Sequence, residues 1–171
     1  MMKKRIALIS TGGTIEKTYD ELSGVLANQV SVLDVMLASL ELRGVLIHRV
    51  PLMIKDSLEM TPDDHTLIAE TAGRMAQQTD GVVVVHGTDR LAQSGDRVVE
   101  LVGTPPTPIV FTGAMRPYQL RSTDASQNLT EALLAVQILP PGVYVAMHNQ
   151  VLQFPGVTKD RNAGTFVKDP G

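Results

Sequence analysis

The chain has 171 residues, 43% of them hydrophobic, 19% charged and 4% aromatic, with 14 Gly, 10 Pro, no Cys and a formal charge of −3. The length fits one domain, and the apolar fraction at so small a charge excludes a wholly disordered chain, as the unperiodic Gly and Pro exclude collagen-like and coiled-coil classes. Weak acidity and few rings leave no basic stripe for nucleic acid, and a chain without Cys has no thiol catalysis, zinc ribbon or iron–sulfur cluster.

Met1-Met2-Lys3-Lys4-Arg5 has the charge of a signal-peptide start, but the apolar run behind it, Ile6–Ile9, falls short of the roughly 7–15 residues such a signal needs. No stretch approaches the roughly 20 apolar residues of a membrane span. The expectation is a cytoplasmic protein, with no membrane partner, whose first strand is Ile6–Ser10. A helix follows over Ser31–Arg43, closed by Gly44 at its C-terminal cap. Val32, Leu33, Met36, Leu37 and Leu40 form its core stripe, and Val35 and Leu42 add a second apolar edge. Either that helix is wedged deep in the domain or the second edge meets another subunit.

Val45–Val50 is the next strand. Thr61 can then cap a helix running to Thr79, with Pro62 in the first turn and Asp63 and Asp64 complementing its dipole. Ile68, Ala72, Met75 and Ala76 give it one apolar stripe. Strands at Gly81–His86, Pro108–Thr112 and Gly142–Met147 alternate with helices at Leu91–Val102, ended by Gly103, and at Ser126–Gln137, whose Leu129, Leu133 and Val136 share a side. The stretch Pro155–Gly171 reads by composition as a polar, flexible tail. Strands apolar on both faces and separated by helices predict an α/β fold: one domain over residues 1–171, three layers, with a mainly parallel Rossmann- or flavodoxin-like sheet and helices on both faces.

In such sheets ligands bind at the carboxyl ends of the strands. Three polar clusters fall there: Ser10-Thr11-Gly12-Gly13-Thr14-Ile15, His86-Gly87-Thr88-Asp89, and Thr112-Gly113-Ala114-Met115-Arg116-Pro117. Thr11-Gly12-Gly13-Thr14 is not G-x-G-x-x-G, and no G-x-x-x-x-G-K-[ST] occurs, so neither a dinucleotide fold nor a P-loop is supported. His48, His65, His86 and His148 lack ligand spacing, so no metal is expected, and His86 reads better as a structural strand-end residue than as a base. A hydroxyl-rich site remains. A Thr hydroxyl needs a group to remove its proton, and Lys159, Asp89 and Tyr19 are the candidates. The competing reading makes Thr11-Gly12-Gly13-Thr14 a tight strand-to-helix turn whose hydroxyls satisfy backbone donors.

Together the clusters resemble the bacterial-type L-asparaginases, amidohydrolases with threonine nucleophiles. Ile9-Ser10-Thr11-Gly12-Gly13-Thr14-Ile15 is similar to that family's first signature and Val85-His86-Gly87-Thr88-Asp89 to its second. Asp56-Ser57-Leu58-Glu59-Met60-Thr61 resembles the segment whose serine holds the substrate α-carboxylate. Gly113-Ala114-Met115-Arg116-Pro117 and Val157-Thr158-Lys159 resemble two further family stretches, the latter carrying the catalytic lysine. The resemblance extends from about residue 5 to the end.

It implies hydrolysis of L-asparagine to aspartate and ammonia without a cofactor, by a homo-oligomer. Thr14, Tyr19, Thr88, Asp89 and Lys159 would be catalytic, and Gly13, Ser57, Leu58, Gly87, Thr88, Asp89 and Ala114 would line the substrate. Thr14 would attack the amide carbon, Tyr19 would assist from a lid over Glu16–Gly24, and Lys159 would handle the proton of Thr88. Backbone N–H groups near Gly13 and Thr88 would hold the oxyanion. If Lys159 acts, residues 155–171 must fold back over the strand ends.

The family also has a C-terminal domain that lends a partner subunit's carboxylate to the site, and the chain resembles a short form without it. Either another acid then substitutes, such as Glu16, Asp20 or Glu59, or the site is looser. Leu58 stands where the family often has glutamine, which implies weak action on L-glutamine, and Arg90 departs from the usual Thr. Asp124 matches a family acidic position, or else caps the next helix. An asparagine- or aspartate-sensing module without turnover, and an amidotransferase subunit that releases ammonia, are the alternative functions.

Overall fold

The computed structural model describes residues 2–171. Its first half contains β1 (Lys4–Gly12), β2 (Thr18–Asp20), β3 (Val25–Ala27), α1 (Leu33–Ala38), β4 (Val45–Lys55) and α2 (Pro62–Gln78). Then come β5 (Gly81–Val85), α3 (Leu91–Val102), β6 (Ile109–Thr112), α4 (Ala125–Ile138) and β7 (Val143–Met147). The chain closes with β8 (Gln150–Gln153), β9 (Val157–Asp160) and β10 (Thr165–Lys168). The main sheet has the order β4-β1-β5-β6-β7-β8, parallel throughout except for β8. It is the expected α/β architecture, in three layers.

The central strand shows why. Along β5, Val82 and Val84 enter the core under α2 and α3, while Val83 and Val85 enter the core under α1 and α4. Side chains alternate with period two, so a Gly-Val-Val-Val-Val strand feeds both cores. Fully burying each such side chain contributes roughly 1.5–3 kcal/mol. The helix α2 starts on a capping box: Asp64 N–H donates to Thr61 Oγ1 (3.3 Å), and Thr61 N–H donates to the Asp64 carboxylate (2.8 Å). Its stripe Ile68, Ala72 and Ala76 is buried as expected.

Two expectations are corrected. The helix predicted over Ser31–Arg43 survives only as α1, and Gly44 is not its cap. Ser31 is drawn away to the Glu16 carboxylate, while Ser39 bonds back onto the Met36 carbonyl (2.6 Å) and Leu40 N–H onto Leu37, so the last turn tightens and ends. Of the second apolar edge, Val35 is exposed, but Leu42 lies outside the helix and packs against the core. Residues 155–171 are not a loose tail. The strands β9 and β10 form an antiparallel hairpin anchored by buried Val157 and Phe166.

The chain runs from β1 outward to β4, then crosses back over β1 to β5. Strand order therefore reverses between β1 and β5, which makes the carboxyl ends of those two strands the switch point where α/β sheets bind ligands. Among the described residues, no helix is long and apolar enough to cross a membrane.

Candidate active site

At the switch point the two loops touch. Gly12 and Gly13 take φ of +99° and +83°, and a Cβ on Gly13 would stand 2.5 Å from the N and Cα of Gly87. Only glycine fits both the conformation and the space. Gly13 N–H donates to the Lys55 carbonyl (2.9 Å), and Asn28 Nδ2 donates to the Gly13 carbonyl (2.8 Å). Thr11 Oγ1 donates to the Val85 carbonyl (2.8 Å), tying β1 to β5 above the last ladder bond. Thr14 then opens a short 3-10 turn, Thr14–Glu16, and is itself only half-buried. None of the described residues hydrogen-bonds its hydroxyl.

Across the junction the groups are densely bonded. Lys159 Nζ, on β9, donates to Thr88 Oγ1 and to Asp89 Oδ1, both at 2.9 Å. Thr88 is buried, and its hydroxyl proton faces Met115 Sδ at 3.6 Å. Arg161 makes a second ion pair with Asp89 Oδ1 at 2.9 Å. Ser57, also buried, sits against Gly87, and its Oγ accepts from Arg90 N–H (3.2 Å). Next to it, Asp56 pairs with Lys17 at 2.6 Å. Burial alone would raise the Asp56 carboxyl, but the Lys17 bond, Leu58 N–H and the charges of Lys17 and Lys159 outweigh it and hold the group below its ordinary range.

A match to the asparaginase family model described as "Asparaginase, N-terminal" spans residues 5–165. The chain belongs to the asparaginase family. It is 30% identical to an L-asparaginase of Thermococcus kodakarensis over 162 residues, which is 94% of this chain and 49% of that protein. It is 37% identical to a component of the glutamyl-tRNA(Gln) amidotransferase of Haloquadratum walsbyi, over 84% of this chain and 33% of that one. The structure of the thermostable Thermococcus kodakarensis L-asparaginase superposes with a TM-score of 0.86 at 29% identity, covering 96% of this chain and 51% of the other. A probable cytoplasmic L-asparaginase of Campylobacter jejuni gives 0.80 at 29%, covering 96% and 52%. The chain thus spans about half the length of the L-asparaginases it matches.

Within this asparaginase-family site, the remaining residues sort clearly. Gly87 and Ala114 are buried at the strand ends, and Leu58 is exposed beside Ser57. Tyr19 lies on the β2–β3 hairpin, 57% exposed, with its N–H held by Gln119 Oε1 at 2.6 Å. The expected lid is thus a formed hairpin. Two of the three substitute acids are already occupied. Glu16 is wholly buried, accepting from Gly12 N–H and Ser31; burial raises its pKa against the Ser31 and Gly12 bonds and the Arg49 charge. Asp20 is spent on its own turn, on Leu22 N–H and Ser23. Of the three, only Glu59 keeps a free, exposed carboxylate. Gly13 N–H is likewise spent on Lys55, which leaves Thr88 as the backbone donor of that pair.

Asp124 does not cap α4 with its side chain. It accepts instead from Met115 N–H (3.0 Å), Arg116 N–H (2.9 Å) and His148 (2.7 Å), fixing the loop that brings Met115 to Thr88. Burial works to raise its pKa, but those bonds lower it overall. His86 is structural: it is fully buried, and burial pushes its pKa down to about 4. Sequence reasoning missed Lys17, Asn28 and Arg161, and it placed Met115 at a strand end without giving it a role. Arg161 lies in the turn just after β9, two residues beyond Lys159, and reaches Asp89 from there. Asn28 reaches the site through a loop whose course no periodicity reveals.

Proposed function

We propose that the chain hydrolyses L-asparagine to L-aspartate and ammonia, with weak action on L-glutamine. The observation that carries this reading is the bonding of Lys159 Nζ to both Thr88 Oγ1 and Asp89 Oδ1 at the switch point, one loop away from the unbonded hydroxyl of Thr14. Thr14 Oγ attacks the side-chain amide carbon, and its proton passes by way of Tyr19 to the departing nitrogen. The C–N bond breaks, ammonia leaves, and a β-aspartyl ester remains on Thr14. Water then adds to the ester carbon, giving its proton back to Thr14 Oγ as the C–O bond breaks. Lys159 and Thr88 order that water and carry protons at Thr88 Oγ1. The N–H of Thr88 stabilises the oxyanion, a contribution on the order of 10²–10³ in rate.

Ser57 takes the substrate α-carboxylate and Asp89 the α-ammonium, with Gly13, Gly87 and Ala114 forming close walls. Leu58 offers no polar contact to a longer amide. The chemistry needs no cofactor or metal. We place the protein in the cytoplasm and expect copies to associate, with exposed Val35 as one contact. Residues 155–171 belong to the catalytic domain because they deliver Lys159.

The test is ammonia release from L-asparagine, D-asparagine and L-glutamine, run beside Thr14→Ala. Release from L-asparagine, reduced by on the order of 10³ or more in a folded Thr14→Ala variant, is the expected outcome. Full activity in that variant would remove Thr14 as nucleophile. The likeness to the amidotransferase component favours a second reading, in which ammonia is released for transfer to an acceptor. Under that reading, free L-asparagine would turn over only when the complementary amidotransferase component and its charged tRNA are added.

A further inference from the structure

The Thr88 hydroxyl is held from two directions, and one ring joins them. Its oxygen accepts from Lys159 Nζ, which arrives on the β9–β10 hairpin, and its proton faces Met115 Sδ, which arrives on the loop after β6. Burial of Val157 and Phe166 fastens the hairpin to the core, but burial is non-directional and does not by itself set where Lys159 points. Direction comes from hydrogen bonds. The Asp124 carboxylate supplies it for the Met115 loop. His148, in the turn between β7 and β8, carries it across to the hairpin: Nε2 lies 2.7 Å from Asp124 Oδ2 and Nδ1 lies 2.9 Å from Thr165 Oγ1. Thr165 precedes Phe166 on β10, and Phe166 is the residue paired with Lys159.

One proton order satisfies this bridge. Asp124 accepts from Met115 N–H, Arg116 N–H and Asn128 Nδ2, so it is a carboxylate and can only accept. His148 Nε2 therefore carries a proton and donates it. At the far end Gln150 Nε2 donates to the Phe166 carbonyl (2.9 Å), which fixes the orientation of the amide, and to Thr165 Oγ1 (3.1 Å). The proton of Thr165 is then left for Nδ1, the bare nitrogen of the neutral ring. Donors and acceptors match from Gln150 through Thr165 and His148 to Asp124.

The ring is also placed at some conformational cost. His148 and Asn149 make a two-residue hairpin loop with φ of +54° and +61°, where Asn-Gly is the favoured pair and a larger side chain is uncommon. His148 N–H donates to Asn128 Oδ1 (3.1 Å), so one buried amide holds both the turn and Asp124. We propose that His148 is a positioning residue: it couples the hairpin that carries Lys159 to the loop that carries Met115, and so fixes both neighbours of the Thr88 hydroxyl. Its effect on rate rests on the hydrolytic reading, whereas the coupling is a property of the folded chain.

The test uses the full chain above the ordinary histidine pKa range, with 13C-methyl methionine. Thr165→Val cuts the bridge at the hairpin end and His148→Phe cuts it at the ring. Thr165→Val should move the Met115 methyl signal in the parent chain and leave it in place in the His148→Phe background. In steady-state ammonia release from L-asparagine, each single variant should lower kcat by about tenfold to a hundredfold with KM little changed, as misplacement of a proton-handling group does. The double variant should be no slower than the slower single, because both remove one link. His148→Gln, which offers a donor to Asp124 and an acceptor to Thr165, should recover part of the loss. Protected β5 amides in hydrogen exchange report that the variants are folded. The proposal is overturned by a Met115 methyl that ignores Thr165→Val or responds equally in both backgrounds. It is overturned as well by additive losses of kcat, or by variants of lowered stability and unchanged kcat, which would make the bridge merely structural. A parent chain that shows the methyl coupling and releases no ammonia would overturn the hydrolytic reading and leave the coupling standing.

Discussion

The two sides of the site are built in opposite ways. On the Thr88 side, the hydroxyl, the Lys159 ammonium and the Asp89 carboxylate hold one another at 2.9 Å, on buried or partly buried side chains. On the Thr14 side, the threonine we propose as nucleophile sits half-buried with no hydroxyl partner among the described residues, and Tyr19 stands exposed on a hairpin of three-residue strands. A proton-handling group gains from being fixed before substrate arrives, because its geometry then costs nothing at the moment of reaction. A nucleophile must leave room for the substrate to enter. On the function we propose, the contrast is one of division of labour: one side is set in advance, the other is completed by what binds.

An effect of the same order as that of Thr14→Ala should come from the fixed side. Lys159→Met keeps the length of the stem but removes the ammonium that bonds Thr88 and Asp89. It should lower kcat by on the order of 10³, about 4 kcal/mol, in steady-state ammonia release. A rise in KM with kcat intact would make Lys159 a binding residue and dissolve the distinction between the two sides. Arg161, also on Asp89, offers the internal control, since its loss leaves Thr88 bonded.

How much of this was legible follows from range. The five parallel strands of the main sheet, α2 with its Thr61 cap, and α3 ending at Gly103 are set by local pattern and capping and stand near where periodicity puts them, with β4 running on to Lys55. The short strands β2, β3 and β8 carry no such signal. Thr14, Thr88, Asp89 and Lys159 each sit in a short motif, and the fold brings the last three into hydrogen-bond contact. The α1 helix is shorter than its pattern suggests because its flanking serines have competing partners: Ser31 bonds Glu16, and Ser39 bonds its own last turn. The C-terminal hairpin was hidden in a polar stretch whose one buried ring, Phe166, shows only once the fold brings it to the core. The role of Glu16 was equally invisible, for nothing in its neighbours signals that the side chain turns inward.

Where the two sides meet, Gly13 abuts Gly87. Gly13→Ala demands a Cβ at φ +83° and 2.5 Å from Gly87 backbone atoms, so the loops must part. The left-handed conformation and the overpacking together should cost about 3 kcal/mol, read from urea unfolding. A variant of unchanged stability would show that the two loops are not in fact pressed together, and that the junction is soft.

The support beneath the fixed side responds to acid. His86 has a folded-state pKa of about 4 against 6.5 unfolded, so the unfolded chain binds the extra proton between those values. Stability from this group is complete above pH 6.5 and is lost progressively as pH falls toward 4. From pH 7 to pH 5 it should fall by about 2 kcal/mol in urea unfolding. His65, also lowered, acts in the same direction. Glu16 and Asp96, with raised pKa values, oppose it. The difference between the parent and His86→Asn isolates this group, and no difference in slope over that interval would mean that His86 is charged or solvated in the native state, contrary to the bonding of both its ring nitrogens.

The smallest effect belongs to the open side, and it tests whether that side is completed by substrate. Tyr19 is 57% exposed and its hydroxyl bonds nothing, so Tyr19→Phe should leave stability unchanged within about 0.5 kcal/mol. If the hairpin closes on the substrate and brings that hydroxyl to Thr14, kcat should nevertheless drop by about tenfold to a hundredfold. A two-stranded hairpin of this length is marginal by itself, and here it has the pairs Thr18–Ala27, Tyr19–Leu26 and Asp20–Val25 and the bond from Tyr19 N–H to the exposed Gln119. Hydrogen exchange at Tyr19 and Leu26 should therefore be fast in the free protein and slow with L-aspartate bound, while the amides of β5 stay protected in both states. Equal protection with and without the product would mean that the hairpin is as fixed as the Thr88 side, and Tyr19 would then have to act from where it now stands.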